Sequence, residues 1–136
     1  DYYDCSIIVA GFFEFDELTS TTDGRRGYWS GDYWATAMGT DPVELRSQSP
    51  IHNLDEVKVP LLIIHGKADR RTPLAGAKKY VKALEKTDID FKHHFYKNEG
   101  HGLYFDDNAQ DQYEKMQTFL NQCDARQPLN PNVAIR

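Results

Sequence analysis

Pro60 to His65, PLLIIH, is an unbroken apolar run entered by a proline and left by Gly66. A strand with one wet face alternates apolar and polar residues. A run without alternation suits a strand covered on both faces, as in a parallel sheet. Such a strand needs neighbours beside it and helices above and below. Ser6 to Gly11, SIIVAG, is a second apolar, β-branched run, ended by glycine. Phe91 to Tyr96, FKHHFY, is a third, more polar, and is expected nearer a sheet edge.

Helical spacing fills the gaps between these runs. In PLAGAKKYVKALEKT, Leu74, Ala77, Val81 and Leu84 recur on one side with lysines on the other, and Pro73 suits a helix start. Asp106 to Cys123 opens with acidic and amide residues, which favour a helix N-terminus, and carries an expected apolar stripe of Tyr113, Met116, Phe119 and Leu120. The order is therefore βαβα, an α/β architecture with a parallel sheet of about three strands and flanking helices. The long connection between the first two runs predicts a helix from about Gly31 to Met38 and a helical turn from Pro42 to Ser47. The tail 125–136, with two prolines and two asparagines, is expected to run along the surface or to be disordered.

Composition narrows the function. The chain has 136 residues, 40% of them hydrophobic, enough for one domain with a real core. A net charge of −5 with no lysine or arginine run argues against nucleic acid and anionic membrane as partners. No apolar stretch approaches the roughly 20 residues a membrane span requires. The absence of an initiating methionine and the early apolar run suggest a fragment, and a half-domain of this kind would expose strand edges and apolar surface. Isolated, it is expected to dimerise or to exchange segments. Cys5 and Cys123, 118 positions apart, fit no zinc-ligand spacing and are read as two free thiols or one long-range bridge.

The chemistry lies after the second and third strands. Asp69, in HGKADRRTP, falls at the C-terminal end of a parallel strand, where open α/β sheets place their catalytic groups. His101, in NEGHG, follows the next strand, so both should emerge on one sheet edge. Glycine on each side of His101 would remove bulk and admit unusual backbone conformations, presenting the imidazole at a loop tip, although a plain tight turn reads the same way. An acid and a histidine 32 positions apart, with one helix between, match the Asp…His order that closes the Ser…Asp…His triad of α/β-hydrolases. Arg70 and Arg71 read more simply as a solvated surface pair.

From the SPI turn at Ser49 through PLLIIHGKADRRTP to NEGHG, the chain resembles the C-terminal part of the catalytic domain of the prolyl oligopeptidase family, including its dipeptidyl-peptidase and acylaminoacyl-peptidase branches. The likeness runs over roughly Asp4 to Asp124; NEGHG stands where the family more often has GEGHG. It implies the C-terminal half of an α/β-hydrolase fold over residues 1–124, truncated before the nucleophile elbow, followed by the tail 125–136. It implies a serine peptidase of short peptides with no cofactor and no metal, in which Asp69 is the triad acid and His101 the base.

The family's nucleophile sits on a G-x-S-x-G elbow, which this sequence lacks; Ser6, Ser20, Ser30, Ser47 and Ser49 stand in other contexts. The serine would then precede Asp1, and the chain alone is expected to be inactive. The resemblance also implies a Cys5–Cys123 disulfide, as in the dipeptidyl-peptidase branch, and with it an oxidising location: secreted, periplasmic or at the extracellular face, against a cytosolic protein with two reduced thiols. In GFFEFDEL it implies that Phe12 and Phe15, with Leu18, wall the substrate pocket, which core packing would explain equally well. Trp29, Tyr33 and Trp34 either cap that pocket or pack beneath the loop. His52, His65, His93 and His94 read as structural. An esterase or lipase of the same fold, and an inactive family member acting as a binding module, are the alternatives.

Overall fold

The structure, a computed structural model, describes residues 3–15 and 30–124, with side chains in the helix Ser30–Met38 described from Tyr33 onward. Leu18, Trp29, Ser20 and the tail 125–136 lie outside the described residues. Three strands, β1 (Ser6–Val9), β2 (Leu61–Gly66) and β3 (Phe91–Tyr96), form a parallel sheet in the order β1-β2-β3. Ser6, Leu61 and Phe91 lie level across the sheet, so all three strands deliver their following loops to one edge. The apolar run of β2 is buried from end to end because it is the central strand.

Side chains on β2 alternate between two cores. Leu61 and Ile63 meet Ala77, Tyr80, Val81 and Leu84 of α3 (Leu74–Leu84), together with Phe13. Phe13 stacks on Tyr80 with ring centroids 4.3 Å apart. Leu62 and Ile64 meet Tyr96 and then Phe119 and Cys123 of α4 (Asp106–Asp124). Each of Ile63 and Ile64 is wholly inaccessible, and burying such a side chain contributes about 1.5–3 kcal/mol. The disulfide Cys5–Cys123, with Cα atoms 6.2 Å apart, ties the entrance of β1 to the end of α4.

The stripe expected on α4 is rotated from the one observed. Met116, Phe119 and Cys123 face the sheet, whereas Tyr113 and Leu120 are exposed, 67% and 45%. Leu120 stands one residue, about 100° of helix, beyond Phe119, off the line of contact. The expected stripe of α3 is the one observed.

The connection from β1 to β2 holds α1 (Ser30–Met38), α2 (Pro42–Gln48) and two single-turn 3-10 helices, Pro50–His52 and Leu54–Glu56. Asp41 caps α2 by accepting the Val43 N–H, 2.8 Å, ahead of Pro42 at the first helical position. Ser49 of the SPI turn is fully buried, donates its hydroxyl to Leu45 O and accepts the Phe15 N–H at 2.8 Å. Ile51 N–H adds a bond to Phe13 O. The turn thus anchors the segment leaving β1. No helix of the described residues is long and apolar enough to cross a membrane.

Candidate active site

Asp69 and His101, brought together by the parallel register, meet at the C-terminal edge of the sheet. The loops behind them are laced across β2 and β3: Lys67 N–H donates to Tyr96 O and Ala68 N–H to Glu99 O, both 2.8 Å. Gly66 makes this approach possible, since a Cβ there would run into the backbone of Glu99 and Gly100. Within the loop that carries His101, the residue in the left-handed region is Asn98, φ 65°, a conformation asparagine tolerates. Gly100 and Gly102 play a smaller part than the sequence suggests. Neither has positive φ, and a Cβ on either would make only ordinary contact with the Tyr104 ring.

The Asp69 side chain is inaccessible and the His101 side chain 34% exposed. Asp69 Oδ1 accepts the N–H groups of Arg71 and Thr72 at 2.8 and 2.9 Å, closing its own loop. Oδ2 accepts the Thr72 hydroxyl at 2.7 Å and lies 3.0 Å from His101 Nδ1. A carboxylate only accepts, so the ring proton of a neutral imidazole sits on Nδ1 and the Nε2 lone pair is left free. Burial works to raise the Asp69 pKa, but the Thr72 N–H, the Thr72 hydroxyl, His101 and the Arg71 N–H together hold it below the ordinary carboxylate value.

Three further residues support the pair without being legible as a site in the sequence. Glu99, the second residue of NEGHG, is fully buried. Its carboxylate accepts the N–H groups of Tyr104 and Phe105 at 2.9 and 3.2 Å and the Asn108 amide at 2.7 Å. It therefore closes the loop carrying His101 onto the start of α4. Burial favours its neutral form, and those three donors outweigh burial, lowering its pKa. Beneath Asp69, His65 is buried with Nε2 2.6 Å from Thr72 O and 3.6 Å from Asp69 Oδ2, while its Nδ1 has no hydrogen-bond partner among the described residues. Thr72 is the third.

Arg70 and Arg71 are exposed. Phe12 and Phe15 are half-buried and stack at 6.2 Å. The cavity beside Phe12, walled by Gly11, Pro73 and Gly76, holds about 40 Å³ among the described residues. Tyr33 and Trp34 meet edge to face at 5.2 Å. His93 and His94 point to opposite faces, the first beside Phe91 and Phe95, the second against Tyr96 and 4.0 Å from Asp111. His52 is exposed.

Known proteins share this fold. The structure of a puromycin hydrolase superposes on 93% of this chain with a TM-score of 0.82 at 18% identity, and the acylaminoacyl peptidase of Pyrococcus horikoshii on 89% with 0.70 at 22%. Those likenesses establish the α/β-hydrolase fold, the chain covering 19% and 20% of those proteins. In sequence, dipeptidyl peptidase family member 6 of Caenorhabditis elegans is 38% identical over 89 residues, which is 64% of this chain and 12% of that protein. Dipeptidyl aminopeptidase BIII of Pseudoxanthomonas mexicana is 28% identical over 130 residues, 90% of this chain and 18% of that protein. The chain thus spans less than a fifth of the length of these curated relatives. The profile of the prolyl oligopeptidase family matches residues 1–126, nearly the whole sequence, and the chain belongs to that family.

Proposed function

We propose that Asp69 and His101 are the acid and base of a serine peptidase that cleaves short peptides, with the nucleophilic serine supplied from outside these 136 residues. The observation that carries the reading is the 3.0 Å contact between a buried Asp69 Oδ2 and Nδ1 of a His101 whose ring reaches solvent. In the proposed reaction Nε2 of His101 takes the hydroxyl proton as the serine oxygen bonds to the scissile carbonyl carbon. It returns that proton to the leaving amine as the C–N bond breaks, leaving an acyl-enzyme that water hydrolyses by the same relay. Asp69 stays ionised and stabilises the imidazolium. No cofactor or metal is required.

The test uses the polypeptide that includes the segment upstream of Asp1, assayed on proline- and alanine-linked chromogenic peptides beside a short acyl ester. Peptide turnover lost in His101→Ala is the expected result. Full activity in that variant refutes the assignment, ester turnover without peptide turnover makes the protein an esterase, and an elbow position lacking serine makes it a binding module.

Two proposals concern the chain itself. The Cys5–Cys123 pair suits an oxidising compartment, and mass spectrometry of the native protein with and without alkylation tests it. Among the described residues β1 and β3 each pair on one side only, which favours a dimer or segment exchange of the isolated chain. A monomeric mass by light scattering would rule that out.

A further inference from the structure

We propose that Thr72 is a positioning residue for the Asp69–His101 pair, its hydroxyl fixing both the free oxygen of the acid and the proton-bearing nitrogen of the base. The inference rests on the reading of Asp69 and His101 given above.

The two oxygens of Asp69 are held in different ways. Oδ1 is fixed by two backbone N–H groups of its own loop, a local turn that any aspartate here could form. Oδ2, the oxygen that faces the imidazole, has no backbone donor. It is held by the Thr72 hydroxyl at 2.7 Å and by His101.

Thr72 Oγ1 has one proton and two acceptors within reach, Asp69 Oδ2 at 2.7 Å and Ala10 O at 3.2 Å. The shorter contact to the charged acceptor takes the proton. The lone pairs of Oγ1 then remain for His101 Nδ1, 3.3 Å away, so the Nδ1 proton is shared between the carboxylate and the hydroxyl. This keeps the proton on Nδ1 and turns Nε2 outward, the tautomer a general base requires.

Every polar atom of Thr72 is engaged. Its N–H donates to Asp69 Oδ1, its carbonyl accepts from His65 Nε2 at 2.6 Å, and its hydroxyl serves Oδ2. Buried His65 thereby seats Thr72 from the central strand, and β-branching limits the hydroxyl to few rotamers. One residue joins the central strand, the acid loop and the base loop.

The test is histidine and threonine NMR on the chain as it stands, with 15N-labelled imidazoles. The unmodified chain should show the His101 Nδ1 proton as a downfield, slowly exchanging resonance. Thr72→Val keeps the shape and removes the hydroxyl; it should speed exchange of that proton about tenfold, the loss expected for one hydrogen bond to a charged group, and lower the share of the Nδ1–H tautomer. Thr72→Ser should restore both.

Unchanged exchange and tautomer in Thr72→Val, or a Thr72→Ser that behaves like valine, overturns the proposal while leaving the acid–base pair intact. Absence of a bonded Nδ1 proton in the folded unmodified chain overturns the pair itself and this inference with it. If Thr72→Val does not fold, the Thr72 hydroxyl proton of the unmodified chain decides. Slow exchange with a cross-peak to the His101 ring supports the proposal; free exchange overturns it.

Discussion

Replacing Asp69 by asparagine removes the charge while keeping the shape, and its cost follows from four hydrogen bonds. The N–H groups of Arg71 and Thr72 cannot turn away, so the amide oxygen must take the place of Oδ1 and its NH2 the place of Oδ2. The two partners at Oδ2 then have to reverse. The Thr72 hydroxyl can turn to Ala10 O, 3.2 Å away, and His101 must move its proton to Nε2. All four bonds to the carboxylate lose their charge assistance at about 1 kcal/mol each, and relief from burying a charge offsets about half of that, a net loss of about 2 kcal/mol. Because the pKa of Asp69 lies below its ordinary 3.8 in the folded chain, its stabilisation is fully present above that value and disappears as pH falls through the folded pKa. Urea unfolding across pH should therefore show the full gap between the two proteins at about pH 5–7 and a narrowing gap below 3.8. Equal stability near neutrality, or a gap that widens toward acid, would refute the reasoning. In the proposed enzyme the same change strands His101 in the wrong tautomer and should lower kcat by about 10⁴.

Other perturbations probe the frame around the pair. Reducing the chain, or changing Cys5 and Cys123 to serine, opens a loop spanning 118 positions and should cost about 4–5 kcal/mol in the chain-entropy model, read as a lower urea midpoint. An unchanged midpoint under reductant would contradict the bridge. Glu99→Gln keeps one acceptor oxygen and turns its NH2 toward an N–H that needs an acceptor, and hydrogen exchange at the Tyr104 and Phe105 amides, which close one loop, should quicken while the β2 amides keep their protection. Protection unchanged at both would remove Glu99 from its role. Gly66→Ala pushes a methyl into the backbone of Glu99 and Gly100 and should destabilise by about 1–3 kcal/mol, a midpoint shift at constant m that calorimetry can confirm.

The elements, their order and the pair at the strand ends are legible in local patterns along the chain. Unbroken apolar runs and 3.6-residue spacing are local patterns, and they suffice to define β1, β2, β3 and α3 and to send Asp69 and His101 to one edge of a parallel sheet. What holds that pair depends on contacts between segments far apart in the chain. The close approach falls at Gly66, not at the glycines beside His101, because it depends on how two loops cross. Tyr113 and Leu120 turn outward because the sheet selects one line of α4. Glu99 and Thr72, a charged residue in a loop and a threonine after two arginines, have no periodic signature. Their roles arise from hydrogen bonds to groups fixed by other segments, and no spacing along the chain encodes those.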